Sequence, residues 1–374
     1  MFGKRFKLFR LFGFEVRIDL SWLILGFLIT WSLAQGIFPF HYKNLSEATY
    51  WWMGIAGAVG LFASIVFHEL CHSLVAKRFG LPMRGITLFI FGGVAEMEDE
   101  PPSAKAEFLM AIAGPLSSIL LGLVLYAVNR GTLPAPVYGV VRYLAVINLA
   151  LAVFNLLPAY PLDGGRVLRS ILWRWKKNLR WATRIASQIG SGFGLALVFF
   201  GVFSVLLGNI IGGIWQVMIG LFLRGAAQSS YQQVLIRKAL EGEKVGHFMK
   251  KEPVTAPPSI SLQDLVEDYI YTYHHKMYPV VHGNTLVGCV TTRQVKDIPR
   301  GEWGRRTVGE IASGCSPENT VGPDIDAIQA LGVMSRTGNS RLMVVENGRL
   351  IGVITLKDIM GFLSVRLDLG DEGE

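Results

Sequence analysis

The chain carries His68-Glu69-Leu70-Cys71-His72 directly after the apolar run 61–67. On a helix, positions i and i+4 share a face, so the two imidazoles can converge on one Zn²⁺ with Glu69 beside the water such an ion holds. Ionisable side chains inside an apolar segment are costly and mark function, and three stand here within five positions. Polar residues that merely bond helix to helix are the bland alternative, and that reading leaves the spacing unexplained. Cys71 reads as a small packing residue. A catalytic zinc site usually has three protein ligands and one open position, so another ligand must come from elsewhere in the chain. The next acidic residue near the end of an apolar run on the same side is Asp163, in the stretch 155–165 with Asn155, Pro158, Pro161, Gly164 and Gly165. The prolines break a helix and the glycines keep the chain irregular, which predicts a carboxylate on a non-helical segment at membrane depth. Such backbone is tolerated only where protein or a water-filled cavity surrounds it.

Those residues need a membrane framework, and the composition supplies it. The 374 residues are 51% hydrophobic and only 17% charged, with a mean hydropathy of +0.40. This excludes an ordinary soluble protein and a disordered one. The long apolar runs lie in residues 1–230. Spans are predicted at 20–40, 50–75, 108–128 and 137–157, and the uncharged stretch 189–223 is too long for one crossing and must fold in two near Leu207-Gly208-Asn209. The opening segment 1–18, with Lys4, Arg5, Lys7, Arg10 and Arg17, alternates like a strand at Phe14, Val16 and Ile18 and reads as retained rather than cleaved. Six spans put both termini on one side. Sixteen Lys/Arg in the N-terminal arm and the loops 76–107 and 158–188 face three on the other side, Lys43, Arg130 and Arg142. Positive-inside logic makes the termini cytoplasmic, and the net charge of +8 is then a topology signal rather than a nucleic-acid footprint. Three scattered cysteines, Cys71, Cys289 and Cys315, build no disulfide framework, in keeping with a reducing compartment.

Three motifs in this order, His68-Glu69-x-x-His72, Gly92-Gly93-x-Ala95 and Asn155-x-x-Pro158-x-x-x-x-Asp163-Gly164, resemble the signatures of the site-2 protease family of intramembrane zinc metalloproteases, over roughly residues 14–225. The resemblance implies hydrolysis of peptide bonds in or beside a substrate's transmembrane segment, as in regulated intramembrane proteolysis. It implies His68, His72 and Asp163 as zinc ligands, Glu69 as general base, and Asn155 in contact with the substrate backbone. Where the family often has a histidine before the first-span Ser-Trp, this chain has Asp19-Leu20-Ser21-Trp22. A helical substrate hides its carbonyls, so it must be held extended. The segments 86–91 and 94–97 read as a short hairpin turning at Gly92-Gly93, at the membrane surface, whose edge could receive the substrate strand; a hairpin that only plugs the surface is the competing reading.

Residues 245–374 read as a normal soluble mixture containing a repeat. The segment 279–291 returns at 343–355 with a constant offset of 64 residues, each copy two strands around a tight turn before a helix. This resembles a tandem pair of CBS domains. The family's ribose motif stands as Thr355-x-x-Asp358 in the second repeat, whereas the first has Thr291-x-x-Gln294. The resemblance implies an adenine nucleotide bound mainly through Thr355 and Asp358, and pairing into a homodimer; a purely structural module is the alternative. His274, His275 and His282 read as surface or packing residues. The expected organisation is a polytopic α-helical membrane domain at 1–228, a connecting helix at 229–244, an α/β tandem CBS module with repeats at 245–300 and 307–366, and an acidic tail at 367–374. The expected function is an intramembrane zinc endopeptidase regulated by its CBS pair and acting on membrane proteins in the bilayer. A CBS-gated transporter or channel with a non-catalytic metal site is the alternative.

Overall fold

The computed structural model describes residues 5–81, 83–89, 92–97, 100–128, 131, 133–283 and 285–368. Lys4, Arg130, residues 90–91 of the expected hairpin and residues 369–374 of the expected acidic tail lie outside the described residues. The chain divides into two compact units, Met1–Gln232 and Gln233–Glu374.

In the first unit, strand β1 (Arg5–Leu11) turns through Phe12 and Gly13, both at positive φ, into β2 (Phe14–Asp19). Lys7, Arg10 and Arg17 converge on Glu15 at 2.6, 3.3 and 2.8 Å. Asp19 then caps the first span, α1 (Leu20–His41, with a π-helical segment at Leu33–Ile37), by accepting from the Ser21 N–H at 2.9 Å. The second span, α2 (Glu47–Arg78), starts at the Ser46 cap and ends in Lys77 and Arg78, which suit the negative end of the helix dipole. It leads into β3 (Met83–Phe89) and β4 (Gly92–Met97).

The four strands form one sheet in the order β1-β2-β3-β4, with β2 and β3 parallel and the other pairs antiparallel. The hairpin is present, but Gly92 and Gly93 are not its turn. They are the first residues of β4, paired with Phe89 and Leu88. The lack of a side chain at Gly93 serves close packing instead: a Cβ there would lie 2.8 Å from the Glu69 Cγ. The alternation read in the opening segment corresponds to an inward face, with Phe14, Val16, Ile86 and Leu88 packed on Val66 and Leu70 of α2. The sheet is thereby fixed to the helix that carries the histidines.

The remaining spans are α3 (Ala104–Tyr126), α4 (Ala135–Asn155), α6 (Leu179–Leu206) and α7 (Ile210–Leu240), giving six among the described residues. The fold-back of the uncharged stretch occurs at Gly208, φ +91°. One expectation is overturned here. Asp163 does not stand on irregular chain but opens a helix, α5 (Asp163–Lys176). Gly164 and Gly165 are helical and buried against the backbone of Leu156, Leu157, Ala159 and Tyr160, where any Cβ would collide. The prolines shape the preceding loop, and the glycines let the helix start pressed against it. Of the segment 229–244 read as a connecting helix, residues 229–240 are helical and continuous with α7.

The second unit contains a sheet of order β5-β11-β10-β9 (Lys250–Lys251, Arg349–Thr355, Arg341–Glu346, Thr320–Val321) and one of order β6-β7-β8 (Met277–His282, Thr285–Thr291, Ser313–Gly314). The repeat extends to the register: Met277 faces Thr291 and Arg341 faces Thr355, and both hairpins carry a bulge at the same place, Val280/Val281 and Val344/Val345. Leu286 and Cys289 of one hairpin pack with Met343 of the other, joining the repeats.

Candidate metal centre

Residues His68 and His72 lie one turn apart on α2, both buried, and Asp163 meets them from the start of α5. The Nε2 atoms are 3.1 Å apart, and each lies within hydrogen-bond range of the Asp163 Oδ2, at 3.0 Å for His68 and 3.1 Å for His72. The three residues form a metal-capable group whose ligand atoms all fall within 4.8 Å of one another. The outer nitrogens are already committed. His72 Nδ1 donates to the Met110 carbonyl at 2.7 Å, and His68 Nδ1 pairs with the Ser118 hydroxyl at 2.9 Å. A carbonyl only accepts, so His72 carries a proton on Nδ1, which leaves Nε2 as the nitrogen that can coordinate a metal.

Two ring nitrogens and a carboxylate oxygen aimed at one point repel one another unless a proton or a metal ion lies between them. Their spacing suits the metal ion: bonds of 2.0–2.1 Å to a tetrahedral zinc put neighbouring ligand atoms about 3.3 Å apart. Space for the ion is kept by Gly114 on α3, whose missing Cβ would come within 2.6 Å of the His68 Nε2 and even closer to that of His72. The donor set therefore fits zinc, with an outer shell that fixes both rings.

Glu69 follows His68 on α2 and is partly buried, with Gly93 of β4 passing against its Cγ. Asn155, at the end of α4, donates to the Leu151 carbonyl of its own helix at 3.1 Å, so the structure does not bring it to the three ligands. Asp19, in the place of the family's first-span histidine, is occupied as a helix cap. Cys71 is partly buried on α2 and lies outside the metal-capable group. Sequence reasoning missed the support from α3. Met110, Gly114 and Ser118 recur at four-residue spacing and line one face of that span, with the small Gly114 and Ser118 of the sort found where membrane helices pack closely and Met110 offering its carbonyl.

In the second unit, Thr355 and Asp358 line a cavity of about 420 Å³ together with Lys250, Lys251, His275 and Arg341. Asp358 Oδ2 is held by the Thr355 N–H and hydroxyl at 3.0 and 2.6 Å. Gln294 makes the same bonds to Thr291, at 2.8 and 2.7 Å, but its amide nitrogen also donates to Ile311 O at 2.9 Å and Ser313 Oγ at 2.8 Å. Of the three histidines read as surface or packing residues, His275 is the one that lines this cavity.

Comparison with known proteins agrees with this architecture. The model of peptidase family M50 matches residues 56–134 and 130–201, and that of the CBS domain matches 245–300 and 308–365. The chain is 34% identical to the putative zinc metalloprotease Rip3 of Mycobacterium tuberculosis, over 95% of its own length and 92% of the relative's. It is 33% identical to the putative zinc metalloprotease sll0528 of Synechocystis, over 94% and 93%. Among solved structures it is similar to the site-2 protease of Methanocaldococcus jannaschii, with 32% identity, 60% of this chain and 94% of that chain covered, and a TM-score of 0.42. Two histidines and an aspartate converging inside a six-span helical unit, and full-length likeness to such relatives, lead to one assignment over a gated transporter: this chain belongs to peptidase family M50, the site-2 protease family of intramembrane zinc metalloproteases, and bears a tandem CBS pair.

Proposed function

We propose that His68, His72 and Asp163 hold the catalytic zinc and that Glu69 is the proton-transferring base of the peptidase. The observation that carries this reading is the mutual 3.0–3.1 Å approach of three lone-pair atoms, His68 Nε2, His72 Nε2 and Asp163 Oδ2. Zinc bound by them supplies Lewis acidity, polarising a carbonyl and lowering the pKa of water towards about 7. The Glu69 carboxylate takes a proton from the attacking water and delivers it to the departing amine nitrogen. Ser118 and the Met110 carbonyl keep the imidazoles in register throughout. The free edge of β4 receives the substrate as an added strand, which exposes the scissile carbonyl beside Glu69; Gly92 and Gly93 let it approach, and Asn155 contacts the substrate backbone. Glu69→Gln should retain zinc in the purified full chain while abolishing cleavage, and His68→Ala/His72→Ala should lose both. Full activity in the first variant or undiminished zinc in the second would remove the assignment.

The same proposal places both termini and the second unit in the cytoplasm, on the strength of the basic loops. It also assigns the CBS pair the regulation of proteolysis through an adenine nucleotide. Support comes from the asymmetry of the repeats: Asp358 lies in a cavity rich in cations, while Gln294 is bonded across to β8. Pairing of two copies through this module belongs to the reading and is checked by the mass of the detergent-solubilised protein.

A further inference from the structure

One buried charge cluster takes no part in the chemistry above. Arg169 on α5 is 1% exposed and its Nε donates to Glu107 Oε1 of α3, itself fully buried, at 2.5 Å. Its Nη2 donates to Glu100 Oε2 at 3.0 Å, and the Tyr160 ring lies 5.2 Å from the guanidinium carbon. One guanidinium therefore ties together the segment that leaves the β3–β4 hairpin, the start of α3, the loop before α5, and α5 itself.

The placement of these partners gives the cluster a purpose. Glu107 stands one turn before Met110 on the α3 stripe that continues through Gly114 to Ser118, the stripe that supports both histidines. Arg169 stands six residues after Asp163, about 9 Å along the same helix. Helix α5 is thus held at two points: to α2 through Asp163 and the two histidines, whose outer nitrogens rest on α3, and to α3 directly through Arg169 and Glu107 further on. The pair is a poor device for stability alone, because desolvating both charges offsets much of their attraction. Two of its buried atoms, Glu107 Oε2 and Arg169 Nη1, have no hydrogen-bond partner among the described residues. A fork that fixes distance and angle between two helices is what remains to account for its retention.

We propose that Arg169, through Glu107 and Glu100, is a positioning residue for the metal centre: it sets the angle of α5 against α3 so that Asp163 reaches the two histidines. This rests on Asp163 being a zinc ligand. The test is a double-mutant cycle on the full chain in detergent, read as the rate at which zinc passes to a chelator. Asp163→Asn alone must hasten release; if it does not, the ligand assignment itself has failed, independently of Arg169. Given that it does, Arg169→Met should hasten release on the order of tenfold or more, the range for an outer support of a metal ligand. Arg169→Lys, keeping the charge but not the fork, should fall between parent and Arg169→Met. In the Asp163→Asn background Arg169→Met should add nothing further, because the ligand it positions is gone. Arg169→Met/Glu107→Leu, which removes both charges and so cannot leave one unpaired, guards against simple misfolding: its metal-stripped form should melt near the parent while its zinc still leaves fast. The proposal is overturned if the Arg169 and Asp163 effects multiply independently, if the double variant holds zinc as the parent does, or if zinc loss merely follows loss of the fold.

Discussion

At the level of single residues, the site depends as much on an atom that is missing as on those present. Gly114 faces both Nε2 atoms, and an added methyl there meets two imidazole rings and not helix backbone, so the rings must leave their bonds to Met110 and Ser118. Gly114→Ala should therefore leave the helix intact, indeed favoured by about 1 kcal/mol in propensity, while pushing the rings apart. Zinc affinity should fall tenfold to a hundredfold, roughly the penalty of disturbing a ligand's support, without a lower melting temperature for the metal-free protein. Unchanged metal content in that variant would show that the rings have room to spare. The histidines and their glutamate were legible because five consecutive positions hold the whole pattern. Gly114, Ser118 and the Met110 carbonyl were not: they lie about 40 to 50 residues away, and only helix packing tells which face of α3 meets α2.

Among the elements, the spans were legible because bilayer thickness selects long apolar runs, and the two hairpins of the second unit because their alternation and turns repeat. The start of α5 was not. Two glycines after a proline-rich stretch read as broken chain, and only the backbone pressed against Gly164 and Gly165 explains why a helix can begin there. The hairpin around β6 and β7 differs from its copy in ways that lead to a test. Burial, Arg341 and Lys250 hold the His275 imidazole below its ordinary pKa. A bound polyphosphate would counter those cations and raise it again, so the complex takes up protons and affinity must increase as pH falls through the interval between the two pKa values. Calorimetry on the full chain should show ATP binding more tightly at pH 6 than at pH 8. His275→Gln should flatten that dependence, Asp358→Ala should weaken binding at every pH, and Gln294→Ala should change little. Binding indifferent to pH and to Asp358 would leave this cavity without a nucleotide.

For the whole molecule, the arrangement of basic loops predicts sidedness. In a chain freed of its native cysteines, Lys176→Cys on the 158–188 loop should be protected from an impermeant thiol reagent in intact cells, and Lys43→Cys should be labelled. External labelling at 176 would invert the topology. The parallel pairing of β2 with β3 bears on how the protein is made. Strand β2 ends where α1 begins and β3 starts soon after α2 ends, yet the two share a ladder running from Glu15–Gly85 to Ile18–Leu88. Those partners meet only if α1 and α2 have crossed and recrossed the bilayer. During synthesis β1 and β2 precede β3 and remain an unfinished sheet until both intervening spans have crossed. A chain in which only one of the two helices crosses leaves β2 and β3 on opposite sides of the bilayer, and the histidine helix without its sheet. The ladder thus links completion of the sheet to completion of the first two spans, in a part of the chain that precedes Asp163.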